Sequence, residues 1–131
     1  MGYRVEISLE ISCSPDKLFS FLTDQVKLMQ WFAPQVIAAP VQGTVAAFAF
    51  EFDLNFKMEL VGLEEGNMVA WECVDGYKEW VGSKVRFELE EKDGRTQLHF
   101  LHDGLTNDEK KDKTIESWKR YLQKLKEVCE E

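Results

Sequence analysis

The sequence predicts an α+β fold in which one curved antiparallel sheet of about seven strands closes around a long C-terminal helix, with two short helices after the first strand. Three observations predict it. Apolar and polar residues alternate over residues 5–11 and through most of residues 36–103, the period of half-buried strands. Turn signals at Gly43, Glu65-Gly66-Asn67, Asp75-Gly76 and Asp93-Gly94 mark the second stretch as an antiparallel meander, and six strands fit it. Ile115, Trp118, Leu122, Leu125 and Cys129 then recur every three or four residues, the stripe of an amphipathic helix of about twenty residues.

Each element has its own signal. Val5, Ile7, Leu9 and Ile11 share one face of the first strand and Arg4, Glu6, Ser8 and Glu10 the other, with an end expected near Ser12. Ser14-Pro15-Asp16 supplies a cap, a proline at the first helical position and an acid in the first turn, opening a helix that carries Leu18, Phe19 and Leu22. A second short helix holds Leu28, Met29, Trp31 and Phe32, and Pro34 stops it. In the meander, bulky residues fall in register: Phe48, Phe50 and Phe52; Phe56, Met58 and Leu60; Val69, Trp71 and Cys73; Val85, Phe87 and Leu89; Leu98, Phe100 and His102. Their neighbours Arg86, Glu88, Glu90, Gln97 and His99 are polar, as on a sheet with one wet face. Thr106 and Glu109 have capping-box spacing, so the last helix is expected to open there.

Composition narrows the function. A chain of 131 residues with 44% hydrophobic and 31% charged residues reads as one globular domain over residues 1–131. A formal charge of -8 is the wrong sign for tracking nucleic acid or anionic lipid. The longest uninterrupted apolar run, residues 45–50, is far below the roughly twenty needed to span a bilayer. The polar-apolar alternation at the start of the chain does not build a signal-peptide core, so the expected location is cytoplasmic. Cys13, Cys73 and Cys129 lack C-x-x-C spacing and read as buried free thiols.

The bulky inward set, Trp31, Phe48, Phe50, Phe56, Met58, Trp71, Phe87, Phe100, Trp118 and Leu122, has two readings. It fills a core, or it walls an apolar pocket with a few polar handles, the usual anatomy of a small-molecule site. Two handles are available. His102 turns inward by period-two counting while His99 points out, so the two cannot pair on a metal. His102 either orients a ligand or acts as acid or base, or it is a structural histidine bonded to backbone or to the last helix. Tyr121 either offers its hydroxyl to the pocket or keeps it in water. Trp80 reads as a gate or as an edge of the core. No nucleophile elbow and no H-E-x-x-H are present, and Gly76 with Gly82-Ser83-Lys84 has the wrong spacing and order for a phosphate loop. No catalytic residue, cofactor or metal is expected.

The chain resembles the START-like SRPBCC superfamily, and within it the AHSA-like homologues of the activator of heat-shock protein 90 ATPase. The resemblance rests on Ser14-Pro15, Trp31-Phe32-Ala33-Pro34, the run Trp80-Val81-Gly82-Ser83-Lys84-Val85-Arg86-Phe87-Glu88-Leu89, then Gly94-Arg95-Thr96-Gln97-Leu98, His102-Asp103-Gly104-Leu105 and Trp118. It implies a helix-grip (START/Bet v-like) fold with a deep apolar cavity between sheet and long helix, used across the superfamily for lipids, hormones, polyketides or aromatic compounds. The implied function is non-catalytic binding of a small hydrophobic or amphipathic ligand. One alternative is a co-chaperone-type module with a chaperone partner. A further alternative is a cyclase- or hydrolase-like enzyme using His102. Two departures stand out: residues 43–63 are rich in Phe and lack the Gly-containing insertion of many relatives, and nothing corresponds to the separate N-terminal domain with which the eukaryotic co-chaperone binds its partner.

Overall fold

The computed structural model describes residues 2–50 and 54–131. The elements run β1 (Tyr3–Ile11), α1 (Pro15–Thr23), α2 (Gln25–Trp31), β2 (Gln35–Ile37), β3 (Val45–Ala49), β4 (Asn55–Glu64), β5 (Met68–Gly76), β6 (Lys84–Lys92), β7 (Arg95–Leu105) and α3 (Lys111–Cys129), with a 3-10 turn at Asp108–Lys110 before α3. The strands form one antiparallel seven-stranded sheet in the order β1-β7-β6-β5-β4-β3-β2. This is the expected fold class. Among the described residues, no helix is long and apolar enough to cross a membrane.

Local chemistry sets the boundaries. Ser14 Oγ accepts from the Lys17 N–H at 3.2 Å, and Pro15 occupies the first turn, where a missing N–H costs nothing. Asp24 serves two helices: its N–H donates to the Ser20 carbonyl to close α1, and its carboxylate accepts from the Lys27 N–H at 3.1 Å to open α2. The β6–β7 hairpin turns on Asp93 (φ 56) and Gly94 (φ 79), the two left-handed residues that a tight hairpin of the right twist needs.

Three expectations are corrected. Thr106 and Glu109 form no capping box; the Asn107 side chain caps the 3-10 turn by accepting from the Glu109 N–H at 3.1 Å, and α3 begins behind it without a side-chain cap. Asp75-Gly76 is not the hairpin turn, because β5 continues through Gly76 and residues 77–83 make the connection. Phe52 lies outside the described residues, so its place in the register is not assigned.

The inner face of the sheet presents Phe56, Met58, Leu60, Val69, Trp71, Cys73, Val85, Phe87, Leu89, Leu98, Phe100 and His102, all buried. Trp118, Leu122, Leu125 and Cys129 of α3 close over it, with α1 and α2 packed beside α3. Burying each such leucine contributes about 2–3 kcal/mol, which is why a helix with so many charged residues holds its place.

Candidate functional site

Four elements meet in a near-parallel column of rings. Phe32, just beyond α2, lies 5.6 Å from Trp118 of α3 with planes 10° apart. Trp118 lies 5.6 Å from Trp80, in the β5–β6 connection, at 12°. Trp80 lies 4.7 Å from Phe56 of β4 at 14°. Such offset stacks fix ring orientation as well as burying area. Phe32 also meets Phe48, Phe50 and Tyr121 edge-on, at 5.1, 5.4 and 5.1 Å.

His102 locks the column from the side. The Trp118 indole N–H donates to His102 Nδ1 at 3.0 Å. An indole nitrogen only donates, so the ring proton sits on Nε2, which donates to Ser83 Oγ at 2.8 Å. The Ser83 hydroxyl in turn donates to the Trp80 carbonyl at 2.5 Å. His102 is 0% exposed, and burial lowers its pKa to about 3. The ring is therefore neutral with both nitrogens engaged, and the acid, base or ligand-handle roles have no free atom to work through. His99 sits on the outer face, bonded to Ser8 Oγ at 2.9 Å.

The rest of the predicted set divides in two. Trp31, Phe48, Met58, Trp71, Phe87, Phe100, Trp118 and Leu122 are buried and packed together. The Trp31 indole donates to the Phe21 carbonyl at 2.7 Å. Near Phe48, Met58 and Trp71 a void of about 10 Å³ remains, at the threshold for a single water. The deep hollow expected here is filled among the described residues, and Phe32, expected in the second helix but not among the pocket residues, caps α2 and puts its ring at the centre of the packing. Phe56, Tyr121 and the half-buried Phe50 stand nearer the open end.

That open end is a cleft of about 210 Å³ between the start of α3 and the β5–β6 connection. Leu54, Phe56, Tyr77, Trp80 and Tyr121 give it apolar walls, Thr114 and Ser117 give it hydroxyls, and Lys110 and Lys113 stand at its rim. Tyr3 is bonded to Thr114 at 3.0 Å, hydroxyl to hydroxyl, and Thr114 donates to the Lys110 carbonyl at 2.9 Å. Burial raises the Tyr121 and Tyr77 pKa values, with Glu79 adding to the effect on Tyr77, so both phenols stay protonated. Of the predicted site residues only Phe56 and Tyr121 line this cleft. The missed ones were partly visible: residues 110, 114 and 117 repeat at helical spacing with Tyr121 beside the apolar stripe. A wider groove of about 400 Å³ lies on the outer face of β2, β3 and β4, over Ile37, Ala47, Ala49 and Lys57.

No curated protein matches the chain in sequence. Solved structures share its fold over nearly the whole length. A dimeric Aha1 from Colwellia psychrerythraea is 24% identical with a TM-score of 0.86, covering 98% of this chain and 96% of that one. A protein from Mesorhizobium loti is 19% identical with a TM-score of 0.84, covering 96% of both. An AHSA1-like protein from Aeromonas hydrophila is 16% identical with a TM-score of 0.74, covering 96% and 92%. A family model, Activator of Hsp90 ATPase homolog 1-like protein, matches residues 12–130. With that match spanning both the ring column and the cleft, the chain belongs to the AHSA1-like family of the START-like SRPBCC superfamily.

Proposed function

We propose that the chain binds a small aromatic or amphipathic molecule, without covalent chemistry, at the cleft between α3 and the β5–β6 connection. The observation that carries this reading is the cleft itself: the stacked Phe56–Trp80 pair forms an apolar wall, and Lys110 and Lys113 offer positive charge at the rim. At about 210 Å³ it is smaller than the roughly 300–1,000 Å³ of sites that enclose drug-sized ligands. It suits one aromatic ring or the head end of a longer amphiphile. A longer ligand goes deeper only when Phe32 and Tyr121 swing aside. The enzyme reading based on His102 gains no support, because that ring is neutral, bonded at both nitrogens and sealed from solvent.

The test follows fluorescence from the four tryptophans during titration with naphthalene sulfonates, medium-chain fatty acids and neutral aromatics. Saturable quenching by one class is expected, weakened at least tenfold by Ser117→Trp, which fills the cleft. Absence of saturable quenching by every class, or binding indifferent to Ser117→Trp, overturns it. One observation favours a second reading: the family model is named for activators of a chaperone ATPase. Adding the chain to its own Hsp90 and finding neither a complex nor faster ATP turnover removes that option.

A further inference from the structure

Charge is unevenly spread along the chain. Residues 110–126, from the turn before α3 through most of that helix, hold seven of the sixteen Lys and Arg but two of the twenty-four Asp and Glu. This stretch is positive on a chain whose formal net charge is -8. Helical geometry sorts its cations further. Lys113, Ser117, Arg120 and Lys124 follow one another at intervals of three or four residues and share one stripe of α3. Lys110 stands just ahead of them in the 3-10 turn. Lys113, Arg120 and Lys124 are exposed, and Lys110 and Ser117 are half-buried. Among the described residues, the ion pairs engage Arg4, Arg86, Arg95 and Lys126 and leave out the four cations of this stripe.

The neighbouring stripe has the opposite character. Glu116, Gln123 and Glu127 share it, and the Gln123 amide donates to the Glu127 carboxylate at 3.3 Å. The cations therefore form a ribbon about one side chain wide, bordered by carboxylates. One end of the ribbon opens onto the cleft, where Lys110, Lys113 and Ser117 face the wall made by the Phe56–Trp80 stack. Arg120 and Lys124 lie beyond the cleft, further along the helix. From Lys113 to Lys124 the ribbon runs about 16 Å, the reach of about five residues of extended peptide. A pocket for one ring with a line of cations leading away from it fits a ligand that carries an aromatic group at one end and several negative charges in a row. The narrowness of the ribbon favours a peptide over a lipid surface. A membrane plane that met Arg120 and Lys124 would also press Glu116 and Glu127 against anionic headgroups, whereas an extended chain follows the cations and leaves those carboxylates in water.

We propose that the α3 flank formed by Lys110, Lys113, Arg120 and Lys124 docks an acidic, extended segment of a partner protein, whose aromatic anchor enters the cleft. This docking rests on the cleft taking a ring, as proposed above, and carries the contact on along the helix. Exposed ion pairs contribute little one at a time, so the anchor and the row of charges have to act together. The same exposure makes the contact sensitive to salt.

The test is fluorescence anisotropy of a labelled peptide of one phenylalanine and five glutamates, about the length the ribbon spans, made in both sequence orders. Saturable binding of at least one order is expected at low salt, weakened about tenfold or more when alanine replaces the phenylalanine, and weakened again by molar salt. Arg120→Glu with Lys124→Glu, at exposed positions outside the cleft, should weaken the peptide about tenfold or more and leave the affinity for uncharged naphthol unchanged. Lys57→Glu with Lys92→Glu makes the same change of net charge at exposed positions on the sheet and should leave peptide binding within about twofold. Naphthol binding without saturable peptide binding overturns the docking and leaves the cleft reading standing; failure of both overturns both. Peptide binding that ignores the anchor, or that falls equally with the two charge reversals, also overturns the docking. So does capture on phosphatidylserine vesicles through Arg120 and Lys124 without peptide binding.

Discussion

Trp118 and His102 meet nitrogen to nitrogen inside the core, the indole N–H donating to Nδ1 at 3.0 Å. Donation then runs one way, from α3 through His102 on β7 to Ser83 and on to the carbonyl of Trp80. The two tryptophans so linked are also neighbours in the ring column. The relay therefore holds the α3 side of the cleft to the Trp80 side, and its members, though buried and polar, are all partnered. A single histidine sets the spacing of both walls without touching a ligand.

The relay gives stability a pH dependence of known sign. His102 titrates at about 3 in the fold and near 6.5 in an unfolded chain, so between these values the unfolded state binds the extra proton. Its contribution is complete above about pH 6.5 and is lost as pH falls toward 3, at about 1.4 kcal/mol per unit. Urea unfolding should show about 2 kcal/mol less stability at pH 5 than at pH 7 from this group. His102→Asn, whose side-chain oxygen can still accept from Trp118, should lose that part of the slope. An unchanged slope in the variant, or a His102 ring resonance in the native protein that moves between pH 7 and 5, counts against the assignment.

Phe32 plugs the space that a larger ligand would use. Phe32→Ala removes a ring in contact with Trp31, Phe48, Phe50, Trp71, Trp118 and Tyr121. It should cost about 3–5 kcal/mol while extending the cleft inward. Thermal unfolding and binding of an apolar dye are the readouts. Lower stability with tighter dye binding is expected; lower stability with dye affinity unchanged would show that Phe32 is not what closes the cleft off from the interior.

How far the sequence could be read follows from the range of each signal. Ser14-Pro15, the alternation in β6 and β7 and the stripe of α3 are local, and each element lies where its pattern puts it. Phe32 is different: the sequence reads it as part of the second helix, but it stands at the C-cap, where the helical period no longer says which way the ring turns. Asp75-Gly76 misled because a glycine with positive φ serves close strand packing as well as turns. Residues 110, 114 and 117 repeat at helical spacing with Tyr121, but being polar they look like a solvated face, and only the fold sets Trp80 in the same cleft. The bonds from Ser12 to Glu130 and from Lys17 to Glu131 join the two ends of the chain, and no local pattern reports them.

The lysines at the rim should discriminate by charge. Lys110→Glu with Lys113→Glu should weaken an anionic amphiphile such as decanoate about tenfold at low salt and leave decanol unchanged. Molar salt should shrink the difference, because exposed charges are screened over a few ångströms there. Fluorescence titration of both ligands at both salt levels measures it. Equal losses for decanoate and decanol would mean that the substitutions reshaped the cleft and that charge is not what the rim recognises.

Gly76 determines how closely β5 approaches the wall residue Phe56. The two pair across the β4–β5 ladder, and Gly76 has φ +109. A Cβ there would press into the Asn55 carbonyl oxygen and lie 2.7 Å from Phe56 Cα. Both obstacles are backbone, so no side chain can swing clear and the start of β4 must shift, carrying Phe56 away from Trp80. Gly82 is the control: its φ is +89, but a Cβ there meets nothing within 4 Å, so its alanine variant bears only the left-handed penalty of about 1–2 kcal/mol. Gly76→Ala should cost clearly more, about 3 kcal/mol or above, and should alter the near-ultraviolet dichroism of the Phe56–Trp80 stack. Equal costs for the two variants would mean that the close approach of β4 and β5 does not hold the cleft wall in place.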